Sequence, residues 1–139
     1  RRALYTYWRR TSPYPSMIAF DSPSREFCVP RRIRTNTPLQ ALVTLNDPVY
    51  FEAAEALAER MLQEGGDSPA DWIRHGFYLV LSRKPRPPEL ESLLDLLRVA
   101  RSQRPKDAVN AANPGQDADL WGLAVVANSI MNLDEFLNK

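Results

Sequence analysis

Arg32-Ile33-Arg34-Thr35-Asn36-Thr37-Pro38-Leu39-Gln40-Ala41-Leu42-Val43-Thr44-Leu45-Asn46-Asp47-Pro48 is the stretch that decides the fold, because it holds a complete helix start and stop. Thr37 reads as an N-cap. Its hydroxyl can accept from the Gln40 amide while the Gln40 side chain reaches back to the Thr37 amide, which makes a capping box. Pro38 takes the first helical position, where a missing N–H costs nothing and the fixed φ suits the helix. A short apolar helix carrying Leu39, Leu42, Val43 and Leu45 should follow. Asp47 precedes a proline, which drives it out of helical geometry. The helix therefore stops near Asn46, and Asp47-Pro48 opens the next one by the same device. Asn46 and Asp47 then stand at a tight corner between two helices. Polar residues at such corners serve capping; the rival reading is that they bind something.

Downstream of this corner the apolar spacing is helical throughout. Residues 48–64 place Tyr50, Ala53, Ala54, Leu57, Met61 and Leu62 at steps of three and four, and Gly65-Gly66 ends the run. Ser68-Pro69 repeats the cap-and-proline start, and Ile73, Phe77, Val80 and Leu81 give an inner stripe over 69–82. Lys84-Pro85-Arg86-Pro87-Pro88 is a stiff turn, and Pro88 begins a helix whose Leu90, Leu93, Leu94 and Leu97 face inward. Residues 105–117 read as a loop. A last helix over 118–131 should bury Leu120, Trp121, Leu123, Ala124, Ala127 and Met131, and Leu133–Leu137 read as one further turn. No β-alternating run occurs.

Upstream, the chain is basic and irregular. Residues 1–34 hold eight arginines against Asp21 and Glu26, a net of +6, whereas the remainder holds ten bases and fifteen acids, a net of −5. Residues 3–10 read as the end of a helix with Leu4, Tyr7 and Trp8 on one face. Pro13, Pro15, Pro23 and Pro30 forbid a long helix over 11–31, and Ser22-Pro23 can start at most a single turn over 24–27. Tyr14, Met17, Ile18, Phe20 and Phe27 carry too much apolar surface for a flexible linker. They point to an ordered strap packed over helices. The charge asymmetry then has an internal use, a basic arm lying across an acidic body; an acidic or nucleic-acid partner is the rival explanation.

At 139 residues the chain is one domain by length. A single cysteine, Cys28, excludes a disulfide within the chain. No segment approaches the roughly 20 apolar residues of a spanning helix, and no signal peptide is present. The chain opens on Arg1-Arg2-Ala3-Leu4-Tyr5 with no initiator methionine, which reads as a piece of a larger protein.

Little chemistry is legible. One histidine and one cysteine cannot make a structural zinc site, and no acidic calcium loop occurs. His75 falls on the side of its helix away from Ile73 and Phe77. There is no CxxCH motif, so this segment attaches no haem covalently. Cys28 lies between Arg25 and Arg31, which would favour a thiolate; a small buried side chain is the plainer reading. Arg25, Arg31, Arg32 and Arg34 form the one constellation that suggests a role, with Asp21 just upstream. Guanidinium groups bind carboxylates and phosphates in bidentate fashion. Three uses follow: a buried network tying the strap to the corner at Asp47, an anion site near the helix starts at Pro38 and Pro48, or nucleic-acid contact. The prolines, the lack of lysine in the arm and the acidic body argue against the last.

Phe20-Asp21-x-Pro23-x-Arg25-x-x-Cys28, then Arg31-Arg32-x-Arg34-Thr35-Asn36-Thr37-Pro38-Leu39-Gln40-Ala41-Leu42, then Leu45-Asn46-Asp47-Pro48 and Glu52-Ala53-Ala54, resembles domain of unknown function 1553. That is the C-terminal domain of large secreted planctomycete-type proteins carrying a c-type cytochrome domain upstream. Phe77-x-Leu79-Val80-Leu81-Ser82-Arg83-x-Pro85 and Asn132-Leu133-Asp134-Glu135-Phe136 also fit, although the family often has Gly where Ser82 stands. The resemblance covers nearly the whole chain and only the C-terminal part of the family's domain. It implies export to the periplasm or cell surface, a haem module in the parent that this chain lacks, and no settled activity. The family's polar positions fall here on Asp21, Arg25, Cys28, Arg32, Arg34, Asn36, Gln40, Asn46 and Asp47.

The expected architecture is all-α, an irregular bundle of five or six helices behind an ordered Pro/Arg-rich strap. Residues 1–139 form a single helical domain, with 1–36 as the N-terminal helix end and strap and 37–139 as the helical body. The expected role is a structural or interaction module docked on upstream domains of its parent, with no cofactor or metal of its own. The alternative is part of a redox, small-molecule or glycan site completed by the missing upstream region.

Overall fold

The computed structural model describes residues 5–9, 11–23, 28–31, 35–103 and 114–137. Among these the chain is all-α, with helices α1 (Pro15–Ala19), α2 (Pro38–Asn46), α3 (Pro48–Glu64), α4 (Pro69–Leu81), α5 (Pro87–Ser102), α6 (Pro114–Met131) and α7 (Asp134–Leu137). Three of the starts follow from local chemistry. Thr37 caps α2 in a reciprocal box with Gln40, Asp47 accepts from the Val49 amide at the head of α3, and Ser68 accepts from the Asp71 amide at the head of α4. Each is followed by proline at the first helical position, so the helix begins with one amide fewer to satisfy.

α6 is the central element. It packs on α3, α5 and α4, and it also meets α2 and α7. Its sequence is apolar on nearly every side, as a helix surrounded by neighbours requires. Leu123, Val126, Ala127 and Ile130 are buried there against Ala54, Ala58 and Met61 of α3, Ile73 and Phe77 of α4, and Leu97 of α5. α3 and α4 come close where Gly76 faces Met61: a Cβ at position 76 would lie 2.5 Å from Met61 Sδ, and Met61 is fully buried.

Four local expectations are revised. Residues 6–9 lie outside any helix, and Tyr5 and Tyr7 stand exposed; residues 3, 4 and 10 of the expected helix end lie outside the described residues. A five-residue helix forms instead at Pro15–Ala19, started by proline within the strap. Ala53 is exposed, whereas Ala54 and Ala58 face the core. α6 begins at Pro114 rather than at 118. The turn expected over 24–27 lies outside the described residues. Ser82, where the family often has Gly, adopts φ 58 and ψ 23 as the C-cap of α4; this left-handed geometry costs glycine nothing and a side chain something.

Candidate functional site

Part of the predicted polar set meets at the start of α2. Gln40 reaches two ways from the first turn of α2. Its carbonyl oxygen accepts from the Thr37 amide at 3.3 Å, and its Nε2 donates to Thr35 Oγ1 at 3.3 Å. The Thr35 hydroxyl in turn donates to the Asp21 carboxylate, 2.8 Å from Oδ2, and the Thr35 amide donates to the same oxygen at 2.7 Å. Asp21 has φ 55, a conformation that Asp tolerates better than most residues because its short side chain bonds locally. The result is a relay, Asp21–Thr35–Gln40, that fastens the strap to the start of α2.

A second polar latch joins α2 to the far end of the chain. Thr44 Oγ1 lies 2.6 Å from Asn132 Oδ1, to which it donates, and Asn36 Nδ2 donates to Asp134 Oδ1 at 2.6 Å. Gln40 and Thr44 are one helical turn apart, so they share a face. That face is the buried one: Gln40 is 2% exposed and Thr44 0%, whereas Leu39, Leu42 and Leu45 are 58%, 56% and 45% exposed. α2 is therefore inside out, with a polar interior face and a leucine exterior. Tyr14 and Ile18 of the strap and Val49 at the head of α3 are exposed as well.

Between α1 and α2 runs an open cleft of about 470 Å³, lined by Tyr14, Pro15, Ser16, Leu42, Val43, Asn46 and Asp47. Asn46 Nδ2 donates to the Leu42 carbonyl at 2.8 Å, and Asp47 Oδ1 accepts from the Val49 amide at 2.9 Å. Both residues thus act as terminators and caps, with part of each side chain left facing the cleft. Tyr50, one turn on, has its phenol pKa raised, chiefly by burial and secondarily by the Asp47 charge.

The predicted polar residues therefore separate. Asp21 and Gln40 join through Thr35, Asn36 ties to Asp134, and Asn46 and Asp47 cap and line the cleft. Cys28 is exposed. Arg25, Arg32 and Arg34 lie outside the described residues, so the expected strap-to-Asp47 network falls largely there; among the described residues no ion pair reaches Asp21 or Asp47. Thr35, Thr44, Asn132 and Asp134 were not singled out by sequence reasoning. Thr44 offered a signal, since a polar pair one turn apart in a run of leucines marks a polar stripe. Asn132 and Asp134 offered none, because their partners are 88 and 98 residues away.

The strongest charge cluster lies elsewhere, after the left-handed cap of α4. Arg83 donates from Nε and Nη2 to Glu135 at 2.7 and 2.9 Å, and from Nη1 and Nη2 to Glu89 at 2.9 Å each. It joins the heads of α5 and α7. The Arg83 guanidinium and then the Arg86 amide hold the Glu89 carboxyl at about 2, and Arg83 holds Glu135 below the usual carboxylate range. Carboxyls lowered in the folded state stabilise it above their unfolded value near 4.5 and lose that contribution as pH falls toward about 2. The melting temperature should therefore fall over that interval, and Arg83→Gln should flatten the fall. An acid limb of unchanged steepness in Arg83→Gln would assign the acid sensitivity to other groups. Among the described residues no group of three His, Cys, Asp or Glu side chains could hold a metal ion, and no helix is long and apolar enough to cross a membrane.

The sequence model of one family, PSD1: Protein of unknown function (DUF1553), matches residues 1–97. The match takes in the strap, the α2 corner, α3, α4 and most of α5, and stops short of the Asn132–Phe136 segment. No curated protein and no solved structure matches the chain.

Proposed function

The chain belongs to the DUF1553 family of proteins of unknown function, and on that footing we propose that it is a helical interaction module, packed through the outward face of α2 onto an upstream region of the same polypeptide. The observation that carries this reading is the inversion of α2. Leu39, Leu42 and Leu45 face solvent while Gln40 and Thr44 fill the interior. Contiguous apolar surface of this kind on a folded domain marks an interaction site. The two polar latches explain why the helix holds this orientation against its own hydrophobicity. The family resemblance supports placing the module in an exported parent whose upstream part carries a c-type haem.

The test compares the chain alone with its parent. With Cys28 replaced by Ser, a thiol introduced as Leu42→Cys should react with a maleimide at least tenfold more slowly in the parent than in the isolated chain. Equal rates would leave the leucine face uncovered and remove the reading. The cleft favours a second reading, in which the upstream region closes it into a small-molecule or glycan pocket at Asn46 and Asp47. In that case added ligand would protect Leu42→Cys in the parent beyond whatever protection the upstream region gives, since Leu42 lines the cleft.

A further inference from the structure

The chemistry of the α2 face specifies more than an apolar partner. Thr35 to Asn46 contains no charged residue, so the exposed leucines are flanked along α2 by neutral groups only. Asp47 is the first charge met, and it lines the cleft beside Leu42 and Val43. One carboxylate oxygen caps α3 through the Val49 amide; among the described residues the other has no partner. The Asp47 charge is felt by Tyr50, whose phenol it helps to raise. Further along α3 the next charges are Glu52 and Glu55, both exposed and both negative.

Covering such a face has a consequence. An apolar segment laid over Leu39, Leu42 and Leu45 strips water from Asp47 as well, and a carboxylate desolvated without a partner is strongly unfavourable. The occupant has to bring a cation to that end. Its apolar part must match a short row of leucines spaced along one helix, which suits the ridge of another helix. We infer that the α2 face and its cleft receive an amphipathic helix whose apolar ridge lies on Leu39, Leu42 and Leu45 and whose arginine or lysine pairs with Asp47. This deepens the docking reading above and rests on it.

The probes are two synthetic amphipathic peptides of roughly 14 residues, long enough for partial helix, with leucines on one face. They are identical except that one carries arginine and the other glutamine at the end of the leucine row. Binding to the isolated chain is followed by the amide resonances of Leu42 and Val43. The arginine peptide should bind about tenfold more tightly than the glutamine peptide, a difference of roughly 1.4 kcal/mol. Asp47→Asn, which preserves the N-cap of α3, should bring the two within twofold, and Asp47→Ser provides a second cap-preserving variant. Equal affinities for the unaltered chain, or a tenfold preference that survives Asp47→Asn and Asp47→Ser, would overturn the assignment to Asp47 and leave apolar docking standing. Resonances unshifted by either peptide would overturn the docking reading too.

Discussion

Phe77→Ala should cost about 3–5 kcal/mol, the range for emptying a fully buried aromatic site. Phe77 has no solvent exposure and sits in the core cluster among residues of α3, α4, α5 and α6. Its ring also carries the Arg83 guanidinium, with Cζ 4.8 Å from the ring centroid. The substitution therefore opens a cavity at the centre and removes the surface on which the Arg83–Glu89–Glu135 cluster rests. Against a total of about 5–15 kcal/mol for a domain, this removes roughly a fifth of the stability or more. Denaturant unfolding of the variant measures it through the shift in midpoint at unchanged slope. A loss below about 1 kcal/mol would show that Phe77 is not central to the packing.

Gln40→Leu should cost about 2 kcal/mol, even though it replaces a buried polar side chain by an apolar one of similar size. The change leaves the Thr37 amide without its side-chain acceptor and the Thr35 hydroxyl without its donor. Buried or half-buried groups left in that state cost about 1–3 kcal/mol each. The relay to Asp21 is weakened with them, so the strap should loosen before the bundle melts. Hydrogen exchange at the Thr35 amide, which donates to Asp21, reports this directly. Protection of that amide equal to that of the unaltered chain would mean that Gln40 does not hold the strap.

Much of this architecture could be read from local chemistry. Thr37-Pro38, Asp47-Pro48 and Ser68-Pro69 place the starts of α2, α3 and α4 because a capping side chain and a proline act within one turn of each other. The inner stripes of α4 and α6 follow from spacing, since Ile73 with Phe77, and Leu123 with Ala127, are one turn apart and buried. The start of α5 at Pro87 rather than Pro88 turns on Glu89, whose carboxylate accepts from the Arg86 amide at 2.6 Å. In a run of two prolines the sequence does not say which of the pair opens the helix. The orientation of α2 was not legible, because leucine spacing says which residues share a face and not which face turns inward. That choice is made by Asn132 and Asp21, which lie far away in sequence and compete successfully for Thr44 and, through Thr35, for Gln40.

The inversion of α2 is the claim on which the functional reading depends, and a pair of substitutions in the isolated chain tests it most directly. Leu42→Ser and Gln40→Leu should be compared by thermal unfolding under one set of conditions. With the leucines outward, Leu42→Ser leaves the melting temperature within about 2 °C, since exposed substitutions stay within roughly 0.5 kcal/mol, while Gln40→Leu lowers it by several degrees more. A marked loss for Leu42→Ser together with no loss for Gln40→Leu would mean that α2 buries its leucines in the ordinary way and offers no docking face.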